Sequence, residues 1–110
     1  MIFLMLICRD RVPVDSPASP AGSEVAQWMV TMDNGGIRVA GGELAPEAEA
    51  RAVRVRDGQL RVAEGAVLDT GGTLLEFDVL ECQDMAEAVE VASGHPLARQ
   101  HVLEIRPVPS

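Results

Sequence analysis

Asp57-Gly58 sits between two short alternating runs, Val53-Arg54-Val55-Arg56 before it and Gln59-Leu60-Arg61-Val62 after it. A two-residue Asp-Gly link in that setting is among the strongest local hairpin signals, because the favoured turn needs positive φ at both central positions. It predicts antiparallel strands over Ala52 to Arg56 and Gln59 to Ala63. That register sets Arg56 opposite Gln59 and Arg54 opposite Arg61 on one face. Val53, Val55, Leu60 and Val62 take the other face and are expected to pack beneath helices.

The remaining elements follow from periodicity and punctuation. Met1 to Cys8 is almost wholly apolar and reads as a buried strand. No positive residue precedes it, Arg9-Asp10-Arg11 follows in place of a small-residue cleavage site, and it is far short of the roughly 20 residues that span a bilayer. Val12 to Gly22, with Pro13, Pro17 and Pro20, reads as an irregular loop. Ser23 offers an N-cap to a helix whose Val25, Trp28, Met29 and Met32 recur at helical spacing, and Asn34-Gly35-Gly36 stops it. Ile37 to Leu44 is a strand in which Gly41-Gly42 marks a bulge or a close backbone approach. Pro46 to Ala50 connects it to the hairpin, and Gly65 to Gly72 is a second loop.

Thr73 to Cys82 is a long strand, and Asp84 with Glu87 forms a capping-box pattern for a second helix. That helix should bury Met85, Ala88, Val89 and Ala92 and end at Gly94, with Pro96 beyond it. Val102 to Val108 closes the chain as a strand. Strand, helix, strand, hairpin, strand, helix, strand predicts one α+β domain over residues 1–110, a ferredoxin-like sandwich with a mainly antiparallel sheet and two helices on one face. On the strand from Thr73, Leu75, Phe77 and Val79 alternate with Glu76 and Asp78. On the last strand, Leu103 and Ile105 alternate with Glu104 and Arg106. Together with the hairpin arginines, these acids define an expected charged sheet face away from the helices.

Composition narrows the function classes. All nine basic residues are arginines, and 17 acids leave a net charge of -8. That sign opposes binding to a phosphate backbone, so no nucleic-acid partner is expected, and no membrane one. Cys8 and Cys82 are the only cysteines. They lack metal-ligand spacing and read as buried reduced thiols of a cytoplasmic protein. No spaced His/Cys set supports a metal, and Gly71-Gly72 lacks a P-loop lysine, so neither metal nor cofactor is expected.

Leu44 and Pro46, then Val53-Arg54, Asp57-Gly58, Val62 and Glu64-Gly65, resemble the YCII-related family, specifically its DGPF branch. Members of that branch usually read Asp-Gly-Pro-Phe-Ala-Glu-Thr-Lys-Glu where this chain has Glu64-Gly65-Ala66-Val67-Leu68-Asp69-Thr70-Gly71-Gly72. Phe77, His95-Pro96 and Leu103 to Val108 also fit, so the resemblance covers most of the chain after residue 23. The departures make this a divergent member: enzyme-like relatives are associated with a His in the first helix and an Asp before the later Pro. Here that helix has no His and the pre-proline residue is His95. The resemblance implies a ferredoxin-like protomer that forms a homodimer with a dimeric α/β barrel, enclosing a sheet face.

The expected activity is binding of a small polar or anionic molecule in a cleft at the sheet face or dimer interface. Arg54, Arg56 and Glu64 are the ligand-binding candidates, since a guanidinium grips a carboxylate in bidentate fashion. An enzyme is the alternative, with His95 and either Glu64 or Asp69 as acid/base groups. A regulatory or interaction module without a ligand is the third reading. Trp28, on the apolar stripe of its helix, is assigned to the core.

Overall fold

A computed structural model describes residues 1–10, 22–67 and 73–109. The elements are β1 (Ile2–Arg9), α1 (Gly22–Asn34), β2 (Arg38–Glu43), β3 (Arg51–Arg56), β4 (Gln59–Glu64), β5 (Leu74–Glu81), α2 (Met85–Ser93) and β6 (His101–Val108). Single 3-10 turns occupy Glu47–Glu49 and Pro96–Arg99. Four strands form one sheet in the order β2-β5-β1-β6, every neighbouring pair antiparallel. Among the described residues β3 and β4 pair only with each other, as a separate ribbon inserted between β2 and β5. With that ribbon set aside, the strand order and two helices are consistent with a ferredoxin-like α+β fold.

Local chemistry accounts for most boundaries. Asp57 and Gly58 have φ of 53° and 75°, the two positive values that the two-residue hairpin turn requires. α1 begins at Gly22, one residue ahead of the expected Ser23 cap. It ends as a Schellman motif: Gly36 sits at φ 73°, Ile37 N–H donates to the Met32 carbonyl at 2.9 Å and Gly36 N–H to the Asp33 carbonyl at 3.1 Å. At α2 the Asp84 carboxylate accepts from Glu87 N–H at 2.9 Å, and the Glu87 carboxylate reaches back to Gln83 N–H at 3.2 Å. Most of the Val12 to Gly22 loop lies outside the described residues.

The core lies between the helices and one sheet face. Phe3, Met5, Ile7 and Leu80 are fully buried there against Trp28 of α1 and Ala88 and Ala92 of α2. Each large apolar side chain so removed from water contributes on the order of 1.5–3 kcal/mol before entropy is counted. Cys8 and Cys82 are both buried, and no disulfide joins them. Among the described residues no helix is long and apolar enough to cross a membrane.

The division into faces differs from the sequence reading in three places. The Cα partners Phe3↔Leu80, Met5↔Asp78 and Ile7↔Glu76 put the acids of β5 on the same face as the core. The uncovered face instead carries a half-buried stripe of Leu4, Leu6, Phe77 and Val79, beside the Glu104–Arg106 pair at 2.7 Å. Alternation along a strand defines two faces but does not say which one the helices cover, and β1, apolar on both, gave no further guide. Val53, Val55, Leu60 and Val62 are also not beneath the helices: they are 57–67% exposed, because the hairpin never joins the main sheet. On α2 the buried ridge is Ala88 and Ala92, while Met85 and Val89 face solvent.

Candidate functional site

β2 is irregular at one point, and the site is built around it. Its register with β5 shifts between Arg38 and Ala40, which turns Arg38 onto the core side. There Arg38 Nε donates to Asp78 Oδ1 at 2.6 Å and Nη1 donates to Asp33 Oδ1 at 3.0 Å. The Arg38 and Asp78 side chains are only 10% and 6% exposed, so this is an interior ion pair. Gly41 makes room for it: at φ 155°, an added Cβ would run into the Asp78 carboxylate and stand 2.6 Å from the Phe77 carbonyl oxygen. Gly41→Ala is therefore expected to destabilise the fold by about 1–3 kcal/mol, as overpacked sites do, whereas Gly42→Ala, with open space at its Cβ, is not. Urea unfolding of both variants compares them directly.

Beside this pair lies a cavity of about 600 Å³. Its walls are Val25, Ala26 and Met29 of α1, Leu44 and Leu75 from the sheet edge, and Leu97 from the turn after α2. The polar groups that reach it are Arg38, Glu43, Glu76, Asp78, His95 and His101. Glu43 and Glu76 are direct cross-strand partners, a like-charge pairing that costs stability. Burial pushes the Glu76 carboxyl above its usual range, and the nearby Glu43 and Asp78 charges add to this. Burial also pushes Asp78 up, with Arg38 pulling it back. Although burial opposes its charge, Arg38 is held above its ordinary value by hydrogen bonds to Asp78 and Asp33.

His95 is 2% exposed and precedes the Pro96–Arg99 turn. Its Nδ1 accepts a hydrogen bond from Leu97 N–H at 3.0 Å, capping that turn. The neutral ring must then carry its proton on Nε2, which makes Nε2 a donor. Burial lowers its pKa to about 4, so it is uncharged at neutral pH. Trp28 packs on it, ring centroids 4.4 Å apart and planes at 53°, which confirms the core assignment of Trp28.

The other candidates from the sequence lie elsewhere. Arg54 and Arg56 are exposed on β3, Arg54 opposite Arg61, and they line neither this cavity nor a second one of about 420 Å³ at the hairpin root. Glu64, at the end of β4, is exposed and stands 4.0 Å from Arg51. It is not among the residues around His95. Asp69 and Gly71-Gly72 lie outside the described residues. Of the sequence candidates, then, the cavity holds His95. Arg38 was missed, and Glu76 and Asp78 were assigned to the wrong face. The signal that could have found Arg38 is the Gly41-Gly42 pair just after it, which marks a strand making space for something bulky. Among the described residues no group of three or more His, Cys, Asp or Glu is placed to hold a metal.

A small antiparallel α+β sandwich with a part-polar cavity under its first helix defines a class of compact, ferredoxin-like proteins. Within that class, the chain belongs to the YCII-related domain family, whose model matches residues 2–110. No match is found among curated proteins. Among solved structures it is similar to 5-chloro-2-hydroxyhydroquinone dehydrochlorinase (TftG) from Burkholderia phenoliruptrix AC1100, in complex with 2,5-dihydroxybenzoquinone. That likeness has a TM-score of 0.50 at 14% identity, over 99% of this chain and 94% of the other. It is a likeness of fold.

Proposed function

We propose that this YCII-related protein binds a small polar molecule in the cavity between α1 and the β2–β5 edge, with Glu76 as the group that exchanges a proton with it. The observation that carries this reading is the opposite displacement of two groups in one cavity. Glu76 is raised by burial and acidic neighbours, and His95 is lowered by burial to about 4. Both shifts favour the uncharged form, and two groups perturbed by burial in one cleft mark a candidate acid/base site. A neutral Nε2–H on His95 donates to a ligand oxygen, while Glu76 gives or takes a proton. Of the two ligand classes expected from the sequence, the polar one fits better. Glu43, Glu76 and Asp78 outnumber Arg38, which is already bonded to Asp33 and Asp78.

Acid/base catalysis on the same ligand is the second reading, favoured by the same pair of displaced groups. In it His95 works with Glu76, since Glu64 stands outside the cavity. The structural neighbour's quinone, a ring bearing two hydroxyls, suggests the size and polarity to try first. The test is calorimetric titration with small hydroxylated ring compounds and with matched carboxylates. Hydroxylated compounds should bind better, and Glu76→Gln should weaken them about tenfold, the loss of one hydrogen bond to a charged group. Equal binding by wild type and Glu76→Gln, or tighter binding of the carboxylates, would sink the assignment.

The same proposal includes membership of the DGPF branch, resting on Asp57-Gly58 and Glu64-Gly65, and a homodimer that encloses the stripe of Leu4, Leu6, Phe77 and Val79. Cytoplasmic placement fits the two buried thiols, which form no disulfide. Light scattering at working concentration checks the dimer, and a strict monomer removes it.

A further inference from the structure

The β3–β4 hairpin is a feature that a single protomer does not account for. A two-stranded ribbon alone in water is marginally stable at best, yet among the described residues this one pairs only with itself. Val53↔Val62 and Val55↔Leu60 are direct cross-strand partners, so four large aliphatic side chains form one contiguous exposed face. Single exposed aliphatics need no explanation, but a contiguous patch marks a surface that a partner covers.

Charge indicates which partner. Residues 51–64 contain four of the nine arginines and two of the 17 acids, a net charge of +2. Since the whole chain carries -8, everything outside the hairpin carries -10. A basic arm is thus joined to a strongly acidic body, and such an arm is drawn to another body of the same kind. Nucleic acid or an anionic lipid surface would attract the arm but be repelled by the body. Two hairpins meeting face to face would bring two basic ribbons together. An apolar acceptor is also present on the body, in the uncovered stripe of the main sheet.

We infer that the hairpin is an exchange arm: the Val53, Val55, Leu60 and Val62 face of each protomer lies on the uncovered sheet face of a second copy of this chain. Two-fold symmetry makes the contact twice, arm of one on body of the other, so both patches are covered together. This rests on the homodimer proposed above and names the element that clasps it.

The test uses the full-length chain and two kinds of variant. Val55→Asp with Leu60→Asp alters residues that make no core contact, and should weaken self-association by light scattering at least tenfold. Separately, chains carrying Leu60→Cys are mixed with chains carrying Val108→Cys, an exposed site on the uncovered face of β6, and treated with a short bis-maleimide; the native thiols are buried. The expected product is a dimer linking one chain of each kind. An Asp variant that dimerises like wild type overturns the arm while the homodimer stands. Cross-linking of Leu60→Cys chains chiefly to one another also overturns it, in favour of hairpin-to-hairpin contact. A monomeric wild type removes both.

Discussion

Replacing Arg38 by Met is expected to lower stability by about 3–5 kcal/mol, the range for breaking a buried ion pair from one side. Asp78, 4% exposed, would lose the guanidinium that bonds its Oδ1 at 2.6 Å and have no equivalent partner. Asp78→Asn should cost less, because Arg38 keeps its bonds to Asp33, a residue that reaches solvent. Joint replacement, Arg38→Met with Asp78→Leu, should restore much of the loss, since an apolar pair of similar volume has no charge left to desolvate. The single Arg38→Met variant also has a pH signature. With no cation beside it, the buried carboxyl has a folded-state pKa above its unfolded value, so its contribution is present in acid and lost as pH rises through the folded value. Arg38→Met should therefore recover stability on acidification. Urea unfolding of the four proteins across pH 5 to 8 checks this; a double variant no more stable than Arg38→Met contradicts it.

The second large effect belongs to His95. Its folded pKa of about 4 lies below the ordinary imidazole value of 6.5. Between those values the unfolded chain takes up a proton that the folded chain refuses. Stability must then fall as pH falls through that window and level off below it. The gap corresponds to about 3 kcal/mol, near half the total stability of a marginal small domain. Glu76 and Asp78 act in the opposite direction, since their raised values favour the folded state in acid. The comparison that isolates His95 is with His95→Gln, whose amide oxygen can still accept from Leu97 N–H. The variant should lose most of the wild-type slope between pH 6.5 and 4. Parallel stability profiles for the two proteins would show that the imidazole is not the group responsible.

These two groups show how differently a fold and a site are written in a chain. The hairpin, both helices, the bulged strand and the cap of α2 were legible because each depends on residues within a few positions: Asp57-Gly58, Asn34-Gly35-Gly36, Gly41-Gly42, Asp84 with Glu87. The ferredoxin-like order of elements was legible as well, but the hairpin was expected within the sheet and instead stands apart from it. The covered face of the sheet was not legible, because it depends on which strands become neighbours. Asp78 reads as a surface acid until Arg38, forty positions earlier, is set beside it by the β2–β5 register. His95 was visible as a histidine before a proline, but its role was not. A residue read from the sequence as an acid/base candidate also caps the start of the following turn, as a neutral acceptor. The exposure of the hairpin was illegible for a related reason. Alternation states that one face is apolar and is silent about what covers it.

The packing of Trp28 on His95 has an optical consequence. The chain contains one tryptophan and no tyrosine, and its only indole rests 4.4 Å from the imidazole that borders the cavity. Near-ultraviolet emission therefore comes from a single chromophore at a single wall. A shift in its wavelength or intensity reports on that wall, with no averaging over other sites.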